Sequence, residues 1–140
     1  MQVATDCAFC DIVTGRASAK FVDEWEDAVA FFPLAPATVG HTLIAPRRHV
    51  TDIWSVDKPL GAKLIQYVLE LSHILREALS PDGMNIINSS GRVATQTVMH
   101  LHVHLVPRYE DDDMGEIWPA ESSISEAETQ EALRKIRVAR

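Results

Sequence analysis

The chain has 140 residues, 46% of them apolar, and carries a formal charge of −7. Its length suits one domain, 1–140, with a core of its own, and its composition excludes a disordered or fibrous chain. The acidic balance excludes non-specific binding to nucleic acid or anionic membrane, no apolar stretch approaches the roughly 20 residues that span a bilayer, and the absence of a basic-then-apolar leader at the start predicts a cytoplasmic protein.

Cys7 and Cys10 are the only cysteines, spaced Cys-x-x-Cys in a segment expected to form a turn or short helix over 7–14. The pair alone is compatible with a redox dithiol, a disulfide or half of a metal site. A redox motif expects a strand before the pair, and none precedes it here, so metal is the better reading. Two thiolates need two further ligands for a closed tetrahedral zinc site, and histidines lie downstream.

Gly15 breaks this first segment, and Ala19–Asp23 and Ala28–Phe32 are predicted as short strands around the polar turn Glu24-Trp25-Glu26-Asp27. Pro33, Pro36 and Gly40 punctuate a loop, after which His41–Ala45 forms a third strand ending at Pro46. Asp57 caps a long helix with Pro59 in its first turn, and Leu60, Leu64, Val68, Leu71, Leu75 and Leu79 recur at helical spacing up to Ser80-Pro81-Asp82-Gly83. Strands Met84–Asn88 and His100–Pro107 follow, joined by a loop through Ser89-Ser90-Gly91-Arg92. After the acidic run Glu110–Asp113, Ser125 and Glu128 cap a C-terminal helix within an extension, 110–140, that serves packing or subunit contact. Hairpin, strand, long helix, strands and helix in that order make an α+β fold on an antiparallel sheet.

Within the last predicted strand the chain reads His100-Leu101-His102-Val103-His104. Alternation along a strand sends the three imidazoles to one face and Leu101 and Val103 to the other, into a core. A solvated histidine-rich strand is disfavoured by the neighbouring Val98, Leu105 and Val106. A row of imidazoles suits metal binding, anion binding or nucleophilic attack, because each ring offers one nitrogen as donor and the other as acceptor near neutral pH.

The run from Gly40-His41-Thr42-Leu43 to Pro46-Arg47-Arg48-His49, followed by Gln96-Thr97-Val98-Met99-His100-Leu101-His102-Val103-His104-Leu105-Val106, resembles the histidine triad (HIT) superfamily. Cys7-x-x-Cys10 with Asp11-Ile12-Val13 is also similar to that family, so the likeness spans about 7–108. It implies a five-stranded antiparallel sheet with a long helix and a C-terminal helix, a homodimer paired through the long helix and an edge strand, and cleavage of nucleoside 5′-phosphoramidates or dinucleoside polyphosphates at the α-phosphate. His102 would be the nucleophile, oriented by the main-chain carbonyl of His100. His104 would contact the phosphate or leaving group, Thr97 would donate to the bridging atom, and Asn88, Gln96 and His100 would line the substrate site. By their residue types, Asn88 and Thr97, and still more Gln96, also suit loop-satisfying roles. The resemblance also implies a structural zinc held by Cys7, Cys10, His49 and His100. His41 is expected to be bonded within the fold and His73 to lie at the surface or in packing.

Two departures stand out. Pro33 occupies the place where relatives carry a ribose-binding Asp or Asn, and Val39 replaces a proline before Gly40. Phe9, Ile12, Phe31, Phe32 and Leu34 are candidates for an apolar base slot or for ordinary core. The rival to an enzyme is a zinc-stabilised nucleotide-binding or adaptor module without turnover.

Overall fold

A computed structural model describes residues 4–140, and the leader reading at residues 1–3 lies outside them. The elements are α1 (Ala8–Val13), β1 (Lys20–Glu24), β2 (Ala28–Phe32), β3 (Thr42–Pro46), α2 (Lys58–Leu79), β4 (Gly83–Ile87), a 3₁₀ turn at Arg92–Ala94, β5 (Val103–Arg108) and α3 (Glu126–Val138). The five strands form one antiparallel sheet in the order β1-β2-β3-β5-β4, as the resemblance implied. No described helix is long and apolar enough to cross a membrane.

Both faces of the sheet are covered, which is why β2 and β3 read as continuous apolar runs rather than alternating ones. Ala28, Ala30, Ile44, Val103 and Leu105 face α2 and meet Leu64, Val68, Leu71 and Leu75. Val29, Phe31, Leu43 and Ala45, one residue out of step, face the other way against Cys7, Phe9 and Cys10 at α1. The α2 helix begins as predicted, with the Asp57 side chain accepting from Leu60 N–H, and ends at Ser80 in the left-handed conformation. A side chain at Gly40 would be strained: its φ is +89°, and a Cβ there would stand 2.3 Å from Leu79 Cδ1, which would have to shift.

One expectation needs correction. The last strand starts at Val103 rather than His100. The backbone of 100–102 leaves the ladder for other partners: Leu101 N–H donates to Val50 O at 2.6 Å, and the carbonyls of His100 and His102 accept from side chains. The C-terminal helix forms with its Ser125–Glu128 capping box, and none of its residues is buried within the single chain.

Candidate active site and metal centre

The α1 turn, the end of β3 and the segment before β5 bring four ligating side chains together. Cys7 Sγ lies 3.4 Å from His100 Nδ1, Cys10 Sγ lies 3.4 Å from His49 Nδ1 and 3.6 Å from His100 Nδ1, and all four ligand atoms fall within 4.8 Å of one another. A tetrahedral zinc shell with bonds of about 2.0–2.3 Å separates its ligand atoms by roughly 3.3–3.8 Å, so the set fits that metal. Proton positions agree with this. His100 Nε2 must donate to the Pro46 carbonyl, 2.8 Å away, which leaves the Nδ1 lone pair facing the thiols. Burial lowers the His100 pKa to about 4 and raises that of the Cys10 thiol, so a neutral imidazole stands ready while the thiol gives up a proton on ligation.

His100 also shapes its neighbour. Its carbonyl accepts from His102 Nδ1 at 2.7 Å, and because a carbonyl only accepts, the proton of neutral His102 sits on Nδ1 and its Nε2 carries a lone pair. Burial pulls the His102 pKa below its ordinary value against the opposing pull of that carbonyl, keeping the ring neutral near pH 7. Phe9 meets the His102 ring edge-on at 5.0 Å, and Asn88 Nδ2 donates to the His102 carbonyl at 2.9 Å.

The adjacent ring has the opposite tautomer. Ala37 N–H donates to His41 Nδ1 at 3.0 Å, so the proton of neutral His41 is on Nε2. His41 Nε2 lies 2.9 Å from His104 Nδ1 and donates to it, which places the remaining proton of His104 on Nε2. Burial first, then the neighbouring His102 and His41, lowers the His104 pKa to about 4. His102 and His104, with ring centroids 4.9 Å apart, thus pair a nucleophilic nitrogen with a hydrogen-bond donor.

The remaining expected site residues divide. Asn88 is at the site, as a brace on the His102 backbone. Gln96 is buried, its Oε1 accepting from Gly91 N–H and its Nε2 donating to the Thr51 and Val98 carbonyls, so its hydrogen bonds are used within the fold, tying its loop to the one at Thr51. The His100 ring is fully buried among Cys7, Cys10 and His49, and only its carbonyl meets the His102 ring. Thr97 is exposed and its side chain makes no hydrogen bond among the described residues. Of the expected apolar slot, Phe9 and Phe31 pack together at 5.2 Å in the core, whereas Leu34 is fully exposed. His73 is exposed on α2, as expected. His41 is bonded within the fold, as expected; that its partner is His104, 63 residues away, no local pattern signals.

The chain is similar to proteins of known sequence and structure. A crystal structure of SMU.412c from Streptococcus mutans superposes with a TM-score of 0.90 at 34% identity, covering 98% of this chain and 87% of that one. A Zn-bound histidine triad family protein from Mycobacterium smegmatis matches with a TM-score of 0.74 at 32% identity, over 96% of this chain and 98% of that one. Adenosine 5′-monophosphoramidase hnt1 of Schizosaccharomyces pombe is 30% identical over 115 residues, 81% of this chain and 84% of the relative. The profile of the HIT domain matches residues 14–111 of the 140, across the strands and loops that carry all three triad histidines, and the chain belongs to the HIT family.

Proposed function

We propose that this chain is a nucleotidyl hydrolase or transferase that cleaves nucleoside 5′-phosphoramidates or dinucleoside polyphosphates at the α-phosphate through His102. The observation that carries the reading is the bond from His102 Nδ1 to the His100 carbonyl, which leaves Nε2 with a lone pair on a neutral ring. That lone pair forms a bond to the α-phosphorus as the bond from phosphorus to the leaving atom breaks with its electron pair. The departing amine takes up one proton from solvent. Water then attacks the nucleotidyl-histidine, the N–P bond breaks back to neutral His102, and one proton returns to solvent. His104 Nε2–H donates to a phosphate oxygen or to the leaving atom, and Asn88 holds the backbone of the nucleophile. Thr97 is assigned to the leaving-group side, where its exposed hydroxyl is free to donate.

Zinc bound by Cys7, Cys10, His49 and His100 would supply a closed structural link, with no open position for substrate. The His100 side chain would then be held from both ends, by its ligand set and by the Pro46 carbonyl, which steadies the carbonyl that orients His102.

The phosphoramidate member of this substrate pair is supported by the likeness to the S. pombe phosphoramidase. A homodimer is part of the proposal: β4 is an edge strand of the sheet, and Ile65, Leu69 and Ile74 on α2 and Ile86 on β4 are exposed in the single chain. So is a cytoplasmic location. Light scattering at micromolar concentration tests the dimer, and a monomer would overturn it. The chemistry is tested by quenching the enzyme during turnover of adenosine 5′-phosphoramidate and recording its intact mass. An added mononucleotidyl group mapped to His102 is the expected result; turnover with the adduct elsewhere, or no turnover on either substrate class, overturns the proposal and favours the adaptor reading.

A further inference from the structure

The stretch Phe31-Phe32-Pro33-Leu34-Ala35-Pro36-Ala37 carries no hydrogen-bonding side chain, and its two prolines lack a backbone N–H as well. It is tied at both ends to the immediate neighbours of the reactive rings. At one end Phe31 packs on Phe9 at 5.2 Å, and Phe9 packs on His102 at 5.0 Å. At the other the Ala37 N–H is spent on His41, whose Nε2 is bonded to His104. The stretch therefore spans the flank of the His102–His104 pair. Part of its surface on this side is open and apolar: Leu34 is fully exposed, and Phe21, whose ring lies 6.4 Å from Phe31, is 45% exposed. Apolar residues gathered in the open beside a polar reaction centre mark a surface that meets a ligand.

We propose that the organic part of the substrate lies on this apolar lip and is held by contact rather than by hydrogen bonds to its sugar hydroxyls, so that the site takes 2′,3′-dideoxynucleoside 5′-phosphoramidates nearly as well as the ribonucleoside compounds. The inference rests on the nucleotidyl-transfer reading above and specifies its substrate class. Its physical basis is an asymmetry. A site built to bond a hydroxyl rejects the analogue lacking it by about 10⁴-fold or more, because buried partners are left unpaired, whereas an apolar surface loses little.

The experiment compares kcat/KM for adenosine 5′-phosphoramidate and its 2′,3′-dideoxy counterpart, together with calorimetric binding of AMP and 2′,3′-dideoxy-AMP. Ratios below about tenfold in both measurements are expected. A preference for the ribonucleotides above tenfold in either, with the ribo compound still bound and turned over, overturns this inference and leaves the nucleotidyl-transfer reading standing. Binding of both nucleotides at similar affinity without turnover supports the lip while removing the chemistry. If neither nucleotide binds, both readings fall. Leu34→Asp serves as a second probe: it is expected to weaken binding of both nucleotides about equally, by placing a like charge on the path of an anionic ligand, and unchanged affinity would move the substrate off the lip.

Discussion

The two faces of the sheet bury residues for different ends. Under α2 the packed side chains are aliphatic, drawn from alternate residues of β2, β3 and β5 and from one stripe of the helix, and burial there supplies cohesion. On the opposite face, thiols and imidazoles are buried among Phe9, Phe31 and Leu43, and almost every polar atom has a named partner. There, burial sets protonation. It holds His41, His102 and His104 below the ordinary imidazole range, so the rings are neutral at pH 7 and their partners decide which nitrogen carries the proton. Stability and reactivity are thus assigned to opposite sides of one five-stranded layer.

Mutations on the two sides should separate these roles. The largest effect is expected on the reactive face: His102→Ala should lose the mass-detectable adduct and lower turnover by several powers of ten, with near-normal melting, since no neighbouring base replaces a missing nucleophile. A wild-type level of adduct in that variant would sink the assignment. On the α2 face, Leu71→Ala removes a side chain only 1% exposed and should cost about 2–5 kcal/mol in denaturant unfolding. Its turnover per folded molecule should remain near wild type; a fall as deep as that of His102→Ala would erase the division between the faces.

Intermediate effects test the links between packing and chemistry. Protein purified without added metal should hold about one zinc per chain, and Cys7→Ala should lose both the zinc and thermal stability while retaining measurable adduct formation at low temperature. Zinc-free protein whose native thiols react freely would contradict the cluster. His41→Ala should lower turnover about 10- to 100-fold while keeping the adduct, because His104 loses the bond that fixes its tautomer, and His41→Gln should recover part of the loss through its amide donor. Equal loss in both variants would reduce His41 to packing.

The smallest effect is a pH dependence. The folded pKa of His104 is lowered from 6.5 to about 4, so below pH 6.5 the unfolded chain binds more protons than the folded one. Stability from the neutral ring is therefore complete above 6.5 and is lost as pH falls toward 4. Melting temperatures of zinc-loaded wild type and His104→Gln should converge over that interval; a gap that widens as pH falls would reverse the sign.

Much of this was legible along the chain, for physical reasons that act over short range. Helical spacing of Leu64, Val68, Leu71 and Leu75, the Asp57 cap and the β2 run each depend on neighbours a few residues apart, and all formed as read. The Cys-x-x-Cys spacing and the triad marked the two chemistries, and the resemblance they carried supplied the zinc set that the fold brings within ligand distance. Less legible were the residues whose hydrogen bonds could go to substrate or to backbone. Gln96 has the donors and acceptor of a phosphate ligand, yet its amide is bonded to Gly91 and Val98 in its own turn and to the Thr51 carbonyl from a distant loop.

By itself, then, the sequence determined the α+β order of elements and the apolar surfaces that must be buried, because periodicity specifies these locally, while the expected zinc ligands and nucleophile came from the family resemblance its motifs carry. Only the tertiary structure decided the proton positions. His102 takes its tautomer from a carbonyl two residues back in a segment pulled out of the ladder by Val50 and Asn88, and His104 takes its own from His41, just before the start of β3. A tautomer is fixed by whichever partner stands within about 3 Å, and the fold alone brings those partners together.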